Sequence, residues 1–250
     1  MYTLKKSLGQ HFLRDESISR KIVNALNEYP IQQLLEIGPG GGALTKYLLK
    51  LPGIAFKCVE LDEEKVNWLT NEFPELKEKI IHRSFLEMEK PFEGRFTIVG
   101  NFPYNISSQI VFRILEWKDD VETMVGMFQK EVGQRIASKP GTKVYGILSV
   151  LVQAFFEVEY LFEVGENSFN PPPKVKSAVI RFLPRKLPIA MKSEKAFFQL
   201  VKAAFNQRRK TLRNAVKSLF DMEILKDPIF DKRAEQLSIE DFARLSFQMK

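Results

Sequence analysis

The chain has 250 residues, 44% of them hydrophobic and 28% charged, which fits one large globular domain or a large domain with a small appendage. No apolar run approaches the ~20 residues that span a bilayer, and the start, MYTLKKSLGQHFL, lacks the apolar core of a signal peptide. We therefore expect a cytoplasmic protein. A single cysteine, Cys58, excludes an intrachain disulfide, and two histidines without a cysteine cluster predict that there is no metal site.

The formal net charge of +7 is carried by the last quarter of the chain. Residues 184–250 hold 15 Lys and Arg against 8 Asp and Glu, whereas residues 1–183 are neutral as a whole. Six basic side chains and no acidic one lie within residues 202–220. Because like charges without counterions repel one another, this segment favours a polyanionic partner over a merely solvated helix face.

Strand and helix patterns alternate along most of the chain. In chain order we predict a helix in ESISRKIVNALNEY, a strand in IQQLLEIG, a helix in ALTKYLLKL, a strand in IAFKCVEL and a helix in EEKVNWLTNEF. Next come strands KIIHRS and RFTIVGN, helix SSQIVFRILEW, strand TMVGMF and helix QKEVGQRIA. GILSVLVQAFF and EVEYLFEV stay open between helix and strand, and SAVIRFLP is a late strand. This alternation predicts an α/β fold whose mainly parallel sheet is covered on both faces.

The pattern changes after LPRKLP. Three helical periods follow, in SEKAFFQLVKAAF, RKTLRNAVKSLF and SIEDFARLSFQM, without a strand pattern between them. We therefore predict a large domain over residues 1–183 and a small basic helical domain over residues 184–250.

A glycine-rich turn follows the first predicted strand, in LLEIGPGGGALTKYL. Gly38 and Gly40 stand where a backbone without Cβ atoms can adopt positive φ and approach a ligand closely. Such a turn cradles part of a nucleotide-like cofactor, and the N–H groups of the next helix point at the same space. Because the spacing also satisfies the dinucleotide fingerprint, the glycines alone leave nicotinamide dinucleotide and adenosylmethionine both open.

Two carboxylates accompany this turn. Glu60 ends the second strand, where it can accept hydrogen bonds from the ribose hydroxyls of either cofactor. Glu36 ends the first strand, where a carboxylate repels a pyrophosphate but suits a cationic sulfonium and amino group. Glu36 therefore favours adenosylmethionine.

The segment VGNFPYNIS places Asn101, Pro103 and Tyr104 at the end of another buried strand. A turn of this composition suits the methylation of an exocyclic amine such as N6 of adenine, whose lone pair is delocalised into the ring. Two carbonyl acceptors that bind the amino hydrogens can draw the nitrogen towards tetrahedral geometry and so free the lone pair. The two candidate acceptors are the side-chain oxygen of Asn101 and a main-chain carbonyl, for which Phe102 is the first choice. Pro103 fixes φ, and Tyr104 offers a flat face to an extruded base. Alone, N-x-P-Y is typical of a surface turn, but its position after the glycine turn favours a site.

Seven motifs in one order resemble those of the adenine dimethyltransferases of small-subunit ribosomal RNA. They are KKSLGQHFL, LEIGPGGGALT, VELD, GNFPYNIS, FQKEVGQRI, NSFNPPPKVKSAVIRF and FNQRRKTLRNAV. The resemblance implies a Rossmann-like class I methyltransferase sheet with a small C-terminal all-α domain. It further implies adenosylmethionine-dependent dimethylation of N6 of two adjacent adenines. These adenines would be flipped out of the RNA of an immature 30S subunit. Nothing in the sequence demands more than a monomer.

The same likeness assigns roles to individual residues. The implied cofactor contacts are Gln10, His11, Leu13, Glu36, Gly38, Gly40, Glu60, Leu61, Ser84, Phe85 and Asn101. The implied catalytic residues are Asn101, Pro103 and Tyr104, with Phe169 clamping the target base on the face opposite Tyr104. The expected RNA contacts are Lys5, Lys6, Arg208, Arg209, Lys210 and Arg213.

Two positions depart from the family pattern. Phe102 replaces the usual leucine, and Ser84 stands where the family usually has an aspartate for the adenine amino group of the cofactor. Serine accepts a hydrogen bond without charge, which predicts weaker cofactor binding by ~1–2 kcal/mol. The alternatives are a macrolide-resistance methyltransferase of large-subunit RNA, a noncatalytic ribosome-assembly factor and an oxidoreductase.

Overall fold

A computed structural model describes residues 11–207 and 209–250, in which strands and helices are interspersed up to residue 184 and helices follow after it. The strands are β1 (Phe12–Leu13), β2 (Gln33–Ile37), β3 (Ala55–Glu60), β4 (Ile80–His82), β5 (Phe96–Asn101), β6 (Val121–Gln129), β7 (Phe156–Val164), β8 (Phe169–Asn170) and β9 (Ser177–Pro184). The helices are α1 (Glu16–Leu26), α2 (Thr45–Leu48), α3 (Glu63–Glu72), α4 (Ser107–Glu116), α5 (Lys130–Ala137), α6 (Ile147–Phe155), α7 (Glu194–Asn206), α8 (Leu212–Val216) and α9 (Ile239–Ser246).

Seven of the described strands form one sheet, in the order β4-β3-β2-β5-β6-β9-β7. The pairs β3–β4, β2–β3, β2–β5 and β5–β6 are parallel, whereas β6 and β9 pair antiparallel. Its central strands are apolar and buried, as strands covered on both faces must be. The predicted mainly parallel α/β sheet is confirmed. Its parallel strands share one carboxyl edge, which is where ligands bind in folds of this kind.

The first helix shows how local sequence sets an element. Asp15 caps α1 by accepting hydrogen bonds from the backbone N–H groups of Ser17 and Ile18. Ile22 and Leu26, one turn apart, are fully buried in the core cluster. The helical period seen in the sequence therefore marks the face that α1 buries against the sheet.

Three local features differ from the sequence prediction or extend it. Helix α2 has only four residues, because the positive-φ glycines before it keep residues 40–44 in turns. The two ambiguous segments resolve into α6 and β7. A two-residue antiparallel ladder, which the sequence analysis missed, joins β1 to β8 with Leu13 opposite Phe169.

Packing divides the chain into two compact units. Unit 1 comprises Met1–Gly133 with Glu159–Pro184, and unit 2 comprises Gln134–Val158 with Arg185–Lys250. One border thus falls at Pro184, next to the boundary read from the sequence. Residues 134–158, assigned by sequence to the large domain, cluster with unit 2 because α6 packs against α7 and α9. Every described helix is too short or too polar to cross a lipid bilayer.

Candidate active site

Residues singled out by sequence lie at the carboxyl ends of four neighbouring parallel strands. A cavity of about 260 Å³ is lined there by His11, Leu13, Glu36, Gly38, Gly40, Glu60, Leu61, Ser84, Phe85, Asn101, Pro103 and Tyr104, among others. All of these residues belong to unit 1. The shared carboxyl edge of the sheet therefore brings together most of the predicted cofactor and base contacts.

The glycine turn between β2 and α2 has the backbone that the motif predicts. Gly38 and Gly40 have φ of +66° and +54°, and the Gly38 N–H donates to the carbonyl of Val59 at 2.9 Å. A Cβ at Gly40 would lie 3.0 Å from a ring carbon of Phe12. Both the left-handed conformation and the close ring thus require glycine at this position.

Glu60 holds this turn from the end of β3. One carboxylate oxygen accepts from Gly40 N–H at 3.2 Å, and the other accepts from the N–H groups of Leu61 and Asp62 at 2.9 and 3.0 Å. The next side chain, Leu61, is 55% exposed although it is apolar, and it lines the cavity. An exposed leucine beside an anchored carboxylate offers an apolar surface to a ring and an acceptor to a sugar hydroxyl.

Glu36 is a buried carboxyl group in the cavity wall. It is 1% exposed, and one oxygen accepts from the Thr45 hydroxyl at 2.7 Å. Burial raises the pKa of Glu36 to about 8, the nearby Glu60 charge adds to the rise, and the hydrogen bonds from Thr45 oppose it. A cation bound in the cavity would favour the ionised form of Glu36, and its binding would then release a proton from this group.

The side-chain amide of Asn101 has a fixed orientation. Its Nδ2 donates to the main-chain carbonyl of His11 at 3.1 Å. Because a carbonyl only accepts, the amino end of the amide must face His11. The Asn101 Oδ1 is consequently the end of the amide that is left for another donor, as the predicted role in binding an amino group requires.

Other bonds fix the ring of Tyr104. Its hydroxyl is hydrogen-bonded to the hydroxyl of Ser177 at the start of β9, and its ring centroid lies 5.4 Å from that of His11. Burial raises the pKa of Tyr104, so its phenol stays neutral. The His11 Nδ1–H donates to the Pro171 carbonyl at 2.9 Å. His11 thus joins the N-x-P-Y turn to the proline loop, in addition to lining the cavity as predicted.

The turn itself is tied to the start of α4. The Ser107 hydroxyl lies 2.9 Å from the Tyr104 carbonyl and 3.3 Å from that of Pro103, and the latter also accepts from the N–H of Ile106 at 3.3 Å. A Cβ at Gly38 would lie 3.9 Å from Pro103 Cδ. The glycine turn and the N-x-P-Y turn are therefore immediate neighbours.

Ser84 and Phe85, predicted to contact the cofactor, follow β4 and line the cavity. The Ser84 carbonyl accepts from Glu87 and Met88 N–H groups, both at 3.1 Å, which closes a turn. Phe85 is buried, with its ring edge-on to Trp117 at 5.3 Å between centroids. This firm backbone places the Ser84 hydroxyl in the wall, where the family usually has a carboxylate.

Phe169 is not where the sequence analysis expected it. Its side chain is only 1% exposed and belongs to the core cluster with Leu13, and it is absent from the cavity lining. The reason is the ladder between β1 and β8, which pairs Phe169 with Leu13 and directs both side chains into the core. In this structure Phe169 supports the cavity from behind, so its expected place as the clamp opposite Tyr104 is corrected.

Sequence reasoning also missed contacts of the cavity. Lys65 of α3 is 1% exposed, lines the cavity, lies 3.8 Å from Asp62 and has its ammonium 4.8 Å from the centroid of the Phe12 ring. The supporting roles of Thr45 and Ser177 were missed as well. Thr45 and Ser177 had a signal, as parts of the LEIGPGGGALT and NSFNPPPKVKSAVIRF motifs, whereas a buried lysine on a polar helix gives none.

The predicted RNA contacts are only partly visible. Lys5, Lys6, Gln10 and Arg208 lie outside the described residues. Within unit 2, Arg209 and Lys210 are exposed. Arg213 is engaged inside the unit, where its Nε donates to the Leu225 carbonyl and its Nη1 pairs with Asp231, both at 2.9 Å. Arg209 and Lys210 are therefore better placed for a phosphate than Arg213.

This sheet, with its glycine turn, strand-end carboxylates and N-x-P-Y turn, defines a Rossmann-like methyltransferase. The model of the family described as "Ribosomal RNA adenine dimethylase" matches residues 1–249. The chain belongs to the ribosomal RNA adenine dimethylase family, which confirms the resemblance read from the motifs.

Similar proteins cover nearly the whole chain. Proteins named ribosomal RNA small subunit methyltransferase A are 51% identical in Cytophaga hutchinsonii and 53% identical in Flavobacterium johnsoniae, over 97% of this chain and 95% and 94% of theirs. The crystal structure of a dimethyladenosine transferase from Plasmodium falciparum is similar with a TM-score of 0.78 and 24% identity, covering 96% of this chain and 99% of that one. That of the 23S rRNA methyltransferase ErmE has a TM-score of 0.75 and 24% identity, covering 95% and 99%. At such identities the solved structures show the fold, which is as predicted.

Proposed function

We propose that this protein transfers methyl groups from adenosylmethionine to N6 of adenines in small-subunit ribosomal RNA, two to each of two adjacent bases. Membership of the adenine dimethylase family and the names of the similar proteins support this substrate. We place the reaction in the cytoplasm, on an immature 30S subunit, with the protein acting as a monomer.

The cavity residues fit the proposed cofactor. The glycine turn leaves space that a Cβ would fill, Glu60 presents an anchored carboxylate for the ribose, and Leu61 offers an apolar surface for the adenine. Glu36 suits the positive methionine end, because its buried carboxyl gains most from a neighbouring cation. When bound, adenosylmethionine supplies an electrophilic methyl group on a sulfonium.

The orientation of the Asn101 amide is the observation that carries the proposal. With Nδ2 bonded to the His11 carbonyl, Oδ1 and the Phe102 carbonyl are two acceptors for the two hydrogens of an adenine amino group. Binding both hydrogens draws the nitrogen towards tetrahedral geometry and frees its lone pair for in-line attack. The product ammonium is acidic enough to lose its proton to water, so no general base is needed.

The base must leave its stack to reach these acceptors. A flipped adenine can lie on the ring of Tyr104, and such stacking is worth ~1–3 kcal/mol for one base. Because the Tyr104 hydroxyl is bonded to Ser177 and its ring packs near His11, this platform is rigid. Exposed Arg209 and Lys210 of unit 2 would hold the RNA backbone.

The test is methyl transfer to purified ribosomal particles. Undermethylated small subunits, large subunits and DNA are each incubated with labelled adenosylmethionine, and the nucleosides are identified after digestion. We expect N6,N6-dimethyladenosine from small subunits. Label confined to large subunits would support the resistance enzyme, and absence of any transfer would support an assembly factor.

Two variants connect the reaction to the site. Asn101→Ala should abolish transfer while RNA binding persists, because it removes one of the two acceptors. Asn67→Ala, at an exposed position of α3, is the matched control and should behave as the wild type. Full activity of Asn101→Ala would refute the acceptor role.

A further inference from the structure

The ring of Phe102 occupies space that two glycines leave open. Gly100 of β5 and Gly126 of β6 are register partners on adjacent parallel strands. A Cβ at Gly100 would lie 2.6 Å from Phe102 Cε1, and a Cβ at Gly126 would lie 2.3 Å from Cε2. Real Cβ atoms essentially never come within 3.0 Å of another heavy atom, so the ring fills the places of two side chains.

Neither glycine is explained by its backbone conformation. Both lie within strands, and both have φ outside the left-handed range, unlike the glycines of the cofactor turn. Glycine inside a strand lacks a side chain to pack and weakens the strand, unless another group approaches closely. At Gly126 the nearest approaching group is the Phe102 ring, followed by Met124 Sδ at 2.9 Å; at Gly100 the ring and the Ile37 carbonyl oxygen are equally close, both at 2.6 Å. The Phe102 ring contacts both glycines, so Gly100 and Gly126 form its seat.

The seated ring is fixed on its remaining sides. Phe102 is 1% exposed, and its ring is edge-on to that of Phe128 at 5.0 Å between centroids. The Phe102 N–H donates to the Met127 carbonyl at 3.1 Å. The Phe102 side chain has only two torsions, and both its ring and the backbone N–H of the same residue are held in place. The main chain of Phe102 therefore has little freedom to move.

We infer that Phe102, seated on Gly100 and Gly126, is a positioning residue that sets where its own main-chain carbonyl lies. This inference rests on the proposed function, in which that carbonyl is the second acceptor for the adenine amino group. Phe102 stands where the family usually has leucine, and a Cβ at position 126 would exclude the larger ring. In this chain, Phe102 and Gly126 therefore act as a matched pair.

The inference predicts a specific coupling between the two positions. Gly126→Ala should lower kcat at least ~10-fold, because the added methyl group displaces the ring and with it the carbonyl. Phe102→Leu alone should cost about 3-fold, because the smaller side chain holds the main chain less firmly. Leucine lacks the Cε2 atom that lies 2.3 Å from a Cβ at position 126, and the remaining close atoms, Met124 Sδ at 2.9 Å and a Cδ atom of residue 102 at 3.0 Å, belong to flexible side chains that can shift. Adding Gly126→Ala to Phe102→Leu should therefore cost less than ~3-fold.

A merely structural role would not give this pattern. We expect the Kd for adenosylmethionine and for RNA to stay within about 2-fold in all four proteins, because the carbonyl acts on the reacting nitrogen. Gly133→Ala is the control for generic crowding: its Cβ would lie 3.0 Å from Ile180 Cδ1, away from Phe102. It should leave kcat unchanged whichever way Tm moves, because alanine favours the helix α5 while the contact opposes it.

The decisive measurement is single-turnover methylation of small subunits by the four proteins of the cycle. Additive losses in the double variant, or a Gly126→Ala protein that loses only Tm or cofactor affinity, would overturn the inference. If Gly126→Ala does not fold, Phe102→Leu and the double variant still decide, since a double variant more than ~3-fold slower than Phe102→Leu contradicts the inference. Inactivity of the wild type on small subunits would instead refute the proposed function.

Discussion

Replacing Glu36 by glutamine should change how many protons the protein releases when it binds its cofactor. With a pKa of about 8, Glu36 is about 90% protonated at pH 7, whereas a cationic ligand needs the carboxylate. Binding at pH 7 should then release about 0.9 proton and be about tenfold weaker than at pH 9. Titration calorimetry at pH 7 in buffers of different ionisation enthalpy measures the released protons directly.

The Glu36→Gln variant removes the titrating carboxyl group but keeps the shape of the side chain. The difference in proton release between the two proteins therefore reports on Glu36 and not on the amino group of the cofactor. We expect the variant to release almost no proton and to bind with an affinity that no longer rises tenfold from pH 7 to 9. Equal proton release by both proteins would refute the assignment of Glu36 to the cationic end of the cofactor.

The raised pKa of Glu36 also makes the free energy of unfolding depend on pH. In the folded protein Glu36 keeps its proton up to about pH 8, but in the unfolded chain only up to its ordinary 4.5. The folded state therefore binds more protons within this window, and its free energy of unfolding should fall by about 1.4 kcal/mol per pH unit as the pH rises through it. Chemical denaturation without cofactor should show this slope, and Glu36→Gln should flatten it.

Further predictions concern the rest of the site and the RNA contact. Ser84→Asp should tighten adenosylmethionine binding about tenfold in calorimetry, because it restores a charged acceptor. Unchanged affinity would show that main-chain groups already accept the hydrogen bond from the adenine amino group of the cofactor. Gly40→Ala should weaken cofactor binding at least ~10-fold, because alanine at φ +54° costs about 1–2 kcal/mol and crowds Phe12 at 3.0 Å. Arg209→Ala with Lys210→Ala should lower the slope of log RNA affinity against log salt by about 2. Lys226→Ala, an exposed lysine paired with Glu223, is the control, and equal slopes in both would contradict the RNA contact.

Most of the sheet could be read from the sequence because its strands are short buried runs separated by helical periods. The site could be read as far as it lies at strand ends: Glu36, Glu60, Ser84 and Asn101 all reach the cavity because parallel strands share one carboxyl edge. What sets these positions is topology, which the alternating pattern already implies.

Contacts between distant segments could not be read in this way. The ladder from β1 to β8 has two residues per strand, too few for any period, and it pairs Phe169, expected at the rim, with Leu13 in the core. The ion pair of Arg213 with Asp231 likewise depends on the folding of unit 2. The seat of Phe102 was hidden because glycines within strands have no pattern of their own.

The pairing of β1 with β8 also determines at which stage of chain synthesis the pocket can form. Phe12, which covers the Gly40 turn, belongs to a strand whose partner is Phe169–Asn170, and Tyr104 takes its hydroxyl partner from Ser177. A nascent chain that has not yet emerged as far as Phe169 lacks both partners, however well its first strands have folded. Completion of the pocket is thus a late event of synthesis, and fragments ending before β8 should bind the methyl donor poorly.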